Sequence, residues 1–219
     1  MKKYLPSLAS LLLLFSLTAC GAGGTPPPET TGEPEMSAPA ESAPGPVPEE
    51  TGPSASNDAA HGKTLVVYFS WSGNTRAVAE AIQTELDADI FEIATVDGYS
   101  EDYNTVLDEA QTEQKENARP ELAASIEHFD QYDTVFFGFP NWWGDMPMAM
   151  YTVLDDYDFS GKTLIPFVTS GGSGFSDTLS AIAAAEPGAA ILDGLALSGS
   201  SVDSAGDQIK TWLTGLKLA

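Results

Sequence analysis

Leu65-Val66-Val67-Tyr68-Phe69 runs without a break into Ser70-Trp71-Ser72-Gly73-Asn74-Thr75-Arg76 and then into Val78 to Leu86, whose apolar residues recur at helical spacing. Five consecutive apolar residues have no polar face, so the strand they predict is covered on both sides, as in a parallel sheet flanked by helices. The turn behind it brings the hydroxyls of Ser70, Ser72 and Thr75, a glycine that lets a backbone approach closely, and the free N–H groups of a helix N-terminus. That combination is a cradle for a phosphate dianion. The same hydroxyls could instead cap the helix, and the sequence leaves both readings open.

The pattern repeats outward from this stretch. Val135 to Phe139, Leu164 to Val168 and Leu195 to Leu197 are further apolar runs that predict strands buried on both faces, while Ile90, Phe91 and Ile93 alternate with Glu92 as an edge strand would. Met148 to Leu154 has helical spacing, and Ile209, Trp212, Leu213 and Leu216 form one helix face behind a cap predicted at Asp203 or Ser204. About five strands alternating with helices predict an open α/β sheet over residues 63–219. Pro166 conflicts with an inner strand, because it lacks a ladder N–H; a bulge or a gap in pairing would accommodate it.

In an open parallel sheet, ligands collect beyond the carboxyl ends of the strands, so the segments that follow the strands are the candidates. Pro140-Asn141-Trp142-Trp143-Gly144-Asp145-Met146-Pro147 places two indoles in a polar turn, and neighbours in an extended loop do not easily point the same way. Each could bury roughly 150–250 Å² against a flat partner or in the core. Thr169-Ser170-Gly171-Gly172-Ser173-Gly174-Phe175 offers backbone amides free of bulky side chains, suited to the rim of a heterocycle. Cradle, aromatic clamp and amide-rich rim together describe a phosphorylated planar ligand. Gly161-Lys162-Thr163 and Gly62-Lys63-Thr64 mimic the end of a Walker loop, but both precede a strand instead of following one and are predicted to be turns.

With these three loops in order, residues 63–219 resemble the flavodoxin family, the first matching its S/T-x-S/T-G-x-T phosphate loop and W-W-G and T-S-G-G-S-G resembling the flavin loops of a short bacterial subfamily. Tyr99 to Tyr103 and Asn117 to Leu122 also resemble segments of that subfamily, with no role assignable from their chemistry. The resemblance implies a flavodoxin-like five-stranded parallel sheet of order 2-1-3-4-5 with helices on both faces, and FMN at the switch point. It implies that Ser70, Ser72, Gly73, Asn74 and Thr75 hold the phosphate. Trp142 or Trp143 would stack on the isoalloxazine, Pro140, Asn141 and Gly144 would line it, and Thr169, Ser170, Gly171, Gly172 and Gly174 would edge the ring. Arg76 departs from many such phosphate loops and is equally an exposed helix residue. No D-x-x-[ST]-G-A-[ST] segment for covalent attachment occurs, so the FMN is expected to be non-covalent.

The N-terminus speaks to location. Lys2 and Lys3, an apolar stretch from Leu8 to Leu17 and the small residues Thr18-Ala19 form a secretion signal, too short to span a bilayer. Leu17-Thr18-Ala19-Cys20 resembles a bacterial lipobox, which implies acylation of Cys20, loss of residues 1–19 and anchoring to the outer face of the cytoplasmic membrane. Cys20 is the only cysteine, so disulfides, thiolate metal sites and cysteine nucleophiles are excluded from the remainder. Residues 21–62 hold nine prolines, seven glycines and seven acids with no Lys, Arg or aromatic residue, the composition of a disordered tether.

Residues 63–219 carry 25 acids against seven bases. Such a surface repels nucleic acid and anionic lipid and favours protein partners with basic faces, though solubility of an exported protein would select the same charge. The charge tunes a bound redox group only weakly: one charge at ~10 Å in water is worth ~0.4 kcal/mol, or roughly 20 mV for one electron. His61 and His128, the latter on an expected helix, read as surface residues. The functional expectation is an FMN protein carrying single electrons between protein partners, the alternative an FMN-dependent reductase of quinones or nitro compounds using NAD(P)H.

Overall fold

In the computed structural model, which describes residues 62–216 and residue 218, the opening stretch is a strand, β1 (Lys63–Tyr68), followed after a five-residue turn by a helix, α1 (Asn74–Leu86). The signal segment, Cys20, the tether and His61 lie outside the described residues. The chain continues through β2 (Asp89–Glu92), α2 (Tyr103–Glu116), β3 (Tyr132–Pro140), α3 (Met148–Asp156), β4 (Thr163–Ser170), α4 (Thr178–Ala185), β5 (Ala190–Ile191), β6 (Leu195–Ser198) and α5 (Gly206–Gly215), with 3-10 turns at Phe129–Gln131 and Gly199–Ser204. Every pairing between these strands is parallel, in the order β2-β1-β3-β4-β5, and β6 also pairs with β4. The order reverses at β1, so the crevice between β1 and β3 is the topological switch point.

Strand alternation divides the core in two. Leu65, Val67 and Phe69 with Val135, Phe137 and Phe139 face α3, where Ala149, Met150 and Val153 meet them, and Ile182 of α4 joins the same layer. Val66, Tyr68, Phe136, Ile165 and Phe167 face the other way, against Val78, Ala79 and Ile82 of α1 and Ile209 and Leu213 of α5. Helices therefore cover both faces, as runs without a polar face require. Gly138 leaves room in β3 for a ring: a Cβ there would lie 2.0 Å from the Phe167 side chain.

The fifth strand differs from expectation, and Pro166 is the reason. Thr163–Leu164 pairs with Ala190–Ile191 and Phe167 with Leu195, so two residues of β4 oppose three, Leu192 to Gly194, and the ladder is interrupted. The Leu164 carbonyl accepts from Leu192 N–H at 3.0 Å. Pro166, two residues on, faces the same neighbour, and its missing N–H meets the gap. Gly194 sits against it, since a Cβ there would be 2.6 Å from the Pro166 carbonyl and 2.5 Å from Phe175. Leu195 and Leu197 are buried on one face only while Ala196 is exposed, so this strand is an edge and not the doubly buried strand expected. Two smaller expectations also fail. α5 begins behind Ala205 without a side-chain cap, because Asp203 and Ser204 belong to the preceding 3-10 turn, and His128 is an exposed residue at the start of a 3-10 turn, φ 54°, not on a helix.

Candidate functional site

A cleft of about 640 Å³ opens at the carboxyl ends of β1, β3, β4 and β6, lined by Trp71, Ser72 and Asn74 from the first turn, Pro140 to Trp143 from the second, and Thr169 to Gly171 from the third. Its size lies within the range of small-ligand pockets, ~300–1,000 Å³. Ser70, Gly73, Thr75, Gly144, Gly172 and Gly174 are not part of this lining, and Ser70 lines a neighbouring pocket with Trp71, Arg76 and Glu92.

In the first turn no hydroxyl caps the helix. α1 has no side-chain cap and no acid in its first turn; its N-cap is Gly73 at φ 88°, and its first internal bond runs from Ala77 N–H to the Gly73 carbonyl. The early amides thus remain free while the hydroxyls around them do other things. The Ser70 hydroxyl oxygen is buried and has no hydrogen-bond partner. Thr75 is buried, and its hydroxyl shares a 2.8 Å hydrogen bond with that of Thr169, which ties the first turn to the end of β4. Arg76 points away to an ion pair with Glu92 at 2.5 Å on the surface. Among the described residues no Lys or Arg lines the cleft, so an anion there meets neutral donors.

In the second turn the two indoles separate. Trp142 N–H and carbonyl bond reciprocally with Asp145, at 2.7 and 3.0 Å, around Trp143 and Gly144 at φ 55° and 84°, which is a type I′ turn. That geometry sends consecutive side chains apart. Trp142 packs edge-on against Phe69 and Tyr99, centroids 5.4 and 5.3 Å away, whereas Trp143 is 52 % exposed and donates its Nε1–H to the Leu107 carbonyl of α2 at 3.1 Å. Asn141 braces the arrangement: its Oδ1 accepts from Gly144 N–H, and its Nδ2 donates to the Gly174 carbonyl and the Ser176 hydroxyl. Asp145 in turn accepts from Met146 N–H and from the Tyr151 hydroxyl, over whose ring Arg119 lies at 5.2 Å.

The third turn departs from an open rim of amides. Ser170 Oγ accepts from Gly172 N–H at 3.2 Å and from Gly174 N–H at 2.9 Å, so those two amides serve the loop itself, and Ser170 and Gly171 are left to face the cleft. Two walls were not anticipated from the sequence. Tyr103, Val106, Leu107 and Ala110 of α2 form one, with Tyr103 61 % exposed at the mouth; Ser198, Gly199 and Ser200 form the other. Gly199 comes so near the first turn that a Cβ would be 2.7 Å from Asn74 Nδ2.

Comparison with known proteins gives the same architecture. Residues 63–216 match the family Flavodoxin. A Bacteroides eggerthii crystal structure assigned as a flavoprotein is 28 % identical, covers 72 % of this chain and 99 % of its own, and has a TM-score of 0.65. A similarly assigned Bacteroides uniformis structure is 32 % identical over 70 % of this chain and 99 % of its own, at a TM-score of 0.62. The Lactobacillus acidophilus flavoprotein crystallised in complex with FMN is 26 % identical over 68 % of this chain and 99 % of its own, at 0.56. No curated protein matches significantly. With the strand order, the switch-point cleft and a family match over 63–216 in agreement, the chain belongs to the flavodoxin family.

Proposed function

We propose that the protein binds FMN non-covalently in this cleft and carries single electrons between protein partners, held at the outer face of the cytoplasmic membrane through lipidated Cys20. The observation that carries the reading is the uncapped N-terminus of α1 beside the unpartnered Ser70 hydroxyl. A phosphate is the group that would satisfy both, since an anion suits a helix N-terminus and a buried hydroxyl without a partner is costly. The remaining lining fits the rest of the molecule. Ser72 and Asn74 would hold the phosphate with the α1 amides, Trp143 offers its exposed face to the isoalloxazine, and Asn141, Ser170 and Gly171 supply polar atoms along the ring edge. Gly73, Gly144, Gly171 and Gly172 each have open space where a Cβ would stand, so the backbone is approachable at all three turns. Bound FMN would supply reversible electron uptake; the protein orients it and excludes water.

Charge distribution supports a basic-faced partner. Lys63 begins β1, Lys162 precedes β4, Lys115 is in the last turn of α2, and Lys210 and Arg119 pair with Glu85 and Asp155 near the ends of α1 and α3. All five lie toward the end of the sheet opposite the cleft. Segments at the cleft end carry Asp97, Glu101, Asp102, Asp145, Asp177 and Asp203, while the opposite end has acids beside its bases, among them Asp87, Asp89, Asp130, Asp133, Asp155, Asp156 and Asp158. Among the described residues the base at the cleft end, Arg76, is already paired.

Exposure of Trp143 and Tyr103 at the mouth favours the second reading, an FMN-dependent reductase of quinones or nitro compounds using NAD(P)H, because a small acceptor could reach the ring. The purified protein should retain one FMN after excess is removed and take up electrons in two resolved one-electron steps in a potentiometric titration. A single two-electron step with rapid NAD(P)H consumption selects the reductase, and a protein that retains no flavin excludes both.

A further inference from the structure

α2 presents two carboxylates one turn apart on the side that faces the cleft loops, where like charges at i and i+4 are unfavourable unless each has a task. Each has one. Glu113 Oε2 accepts from the Tyr99 hydroxyl at 2.8 Å, and Glu109 Oε2 accepts from the Ser100 N–H at 3.0 Å. Tyr99 and Ser100 are in turn the supports of two cleft indoles. The Tyr99 ring meets Trp142 edge-on at 5.3 Å and Phe69 at 5.3 Å, and the Ser100 carbonyl accepts from Trp71 Nε1–H at 2.8 Å.

From this chain of contacts we infer that Glu109 and Glu113 are positioning residues for the flavin cleft, fixing Trp142 through Tyr99 and Trp71 through Ser100. Residues 93–102 form no helix and no named strand, so residues 99 and 100 are placed by these two bonds together with the Trp71 bond to Ser100, the packing of the Tyr99 ring and the Ser100 hydroxyl, which accepts from Asp102 N–H. The arrangement gives a place to the Tyr99 to Tyr103 segment, whose sequence alone suggests no role. Tyr99 and Ser100 hold indoles, Asp102 caps α2 by accepting from Thr105 N–H at 2.9 Å, and Tyr103 stands over Trp71 with ring centroids 6.0 Å apart. Burial and the neighbouring Glu109 push the Glu113 carboxyl up, against the hydrogen bond from Tyr99, so a half-buried acid is kept here where a neutral residue would be easier to bury. α2 is therefore more than the wall formed by Val106 and Ala110; its outer acids set the indole geometry from behind.

The inference rests on the cleft being a flavin site, and the test separates the two. Near-UV circular dichroism of the protein without FMN reports indole packing, and quenching of FMN fluorescence reports affinity. Glu109→Ala and Glu113→Ala should each change the indole signal and weaken FMN binding on the order of tenfold, the share of one lost hydrogen bond. Glu109→Gln and Glu113→Gln keep an accepting oxygen and should restore both readouts, and Asp108→Asn, at an exposed position on another face of α2, should alter neither. Tyr99→Phe keeps the ring and removes only the donor; combined with Glu113→Ala it should be no worse than the poorer single variant. Alanine variants with unchanged indole signal and affinity would overturn the inference, as would strictly additive losses in the Tyr99/Glu113 pair. If alanine variants do not fold, Tyr99→Phe and Trp71→Phe decide: each removes one donor of the chain and should change the indole signal, and no change in either would overturn the inference. Should the wild-type protein bind no FMN, the flavin reading fails, and the indole signal still tests the positioning role.

Discussion

Trp142 and Trp143 are adjacent in the chain and opposite in environment, and the backbone explains it. Positive φ at a residue with a side chain is uncommon and costs on the order of 1 kcal/mol, so Trp143 at φ 55° is held there by the Asp145 pairing and the Asn141 brace. Trp143→Ala should weaken FMN by about two orders of magnitude, within the 1–3 kcal/mol typical of stacking on an aromatic. It should leave thermal stability nearly unchanged, because the indole is 52 % exposed. Trp142→Ala should instead destabilise by about 3 kcal/mol in a denaturant titration, since it removes a ring packed on Phe69 and Tyr99. Ser70 gives a prediction of mixed sign. Its buried hydroxyl lacks a partner, so Ser70→Ala should stabilise the FMN-free protein by about 1 kcal/mol while weakening FMN roughly tenfold. Both effects are visible in thermal melts with and without FMN. Equal melting of wild type and variant in both states would show that the hydroxyl meets no ligand.

Among the elements, the interrupted fifth strand is where local chemistry prevails over regularity. Gly194→Ala should destabilise by about 2 kcal/mol or more, because its Cβ would collide with the Pro166 carbonyl and Phe175. α2 brings a pH effect. Glu113 has its carboxyl raised by burial and by Glu109, with the Tyr99 hydroxyl the other group against it. The folded state therefore holds a proton that the unfolded chain has released. Stability falls as pH rises from the ordinary glutamate range through the raised value, and Glu113→Gln should flatten that part of the curve in urea titrations. The same elements show why the sequence was readable in part. β1, β3 and β4 declare themselves by unbroken apolar runs, and the three turns behind them end at the cleft. α2 was not anticipated because Val106 and Ala110 are its only buried side chains, too few to make a period. β5 is two residues long, and the cap foreseen at Asp203 or Ser204 was absorbed by a 3-10 turn. Ser198-Gly199-Ser200-Ser201 had the hydroxyl-and-glycine composition of the first turn and was the available signal for the fourth wall. That Ser170 would take up the Gly172 and Gly174 amides depends on the folded path of the loop, which composition does not specify.

For the whole molecule, residues 63–219 carry 25 acids against seven bases, so association with a basic partner should be steered. Its on-rate should fall steeply between low and physiological salt while the dissociation rate changes little, measurable by stopped-flow electron transfer. A salt-independent on-rate would leave the acidity with solubility alone. Location is separate from this: Cys20→Ser should move the protein from the membrane fraction to the soluble exported fraction. The steering expectation depends on flavin occupying the switch-point cleft. Adding FMN to the purified protein, removing the excess and measuring the retained flavin and its reduction steps decides that. One retained FMN per chain, reduced in two resolved one-electron steps, is the predicted result; a colourless protein after this treatment would contradict it.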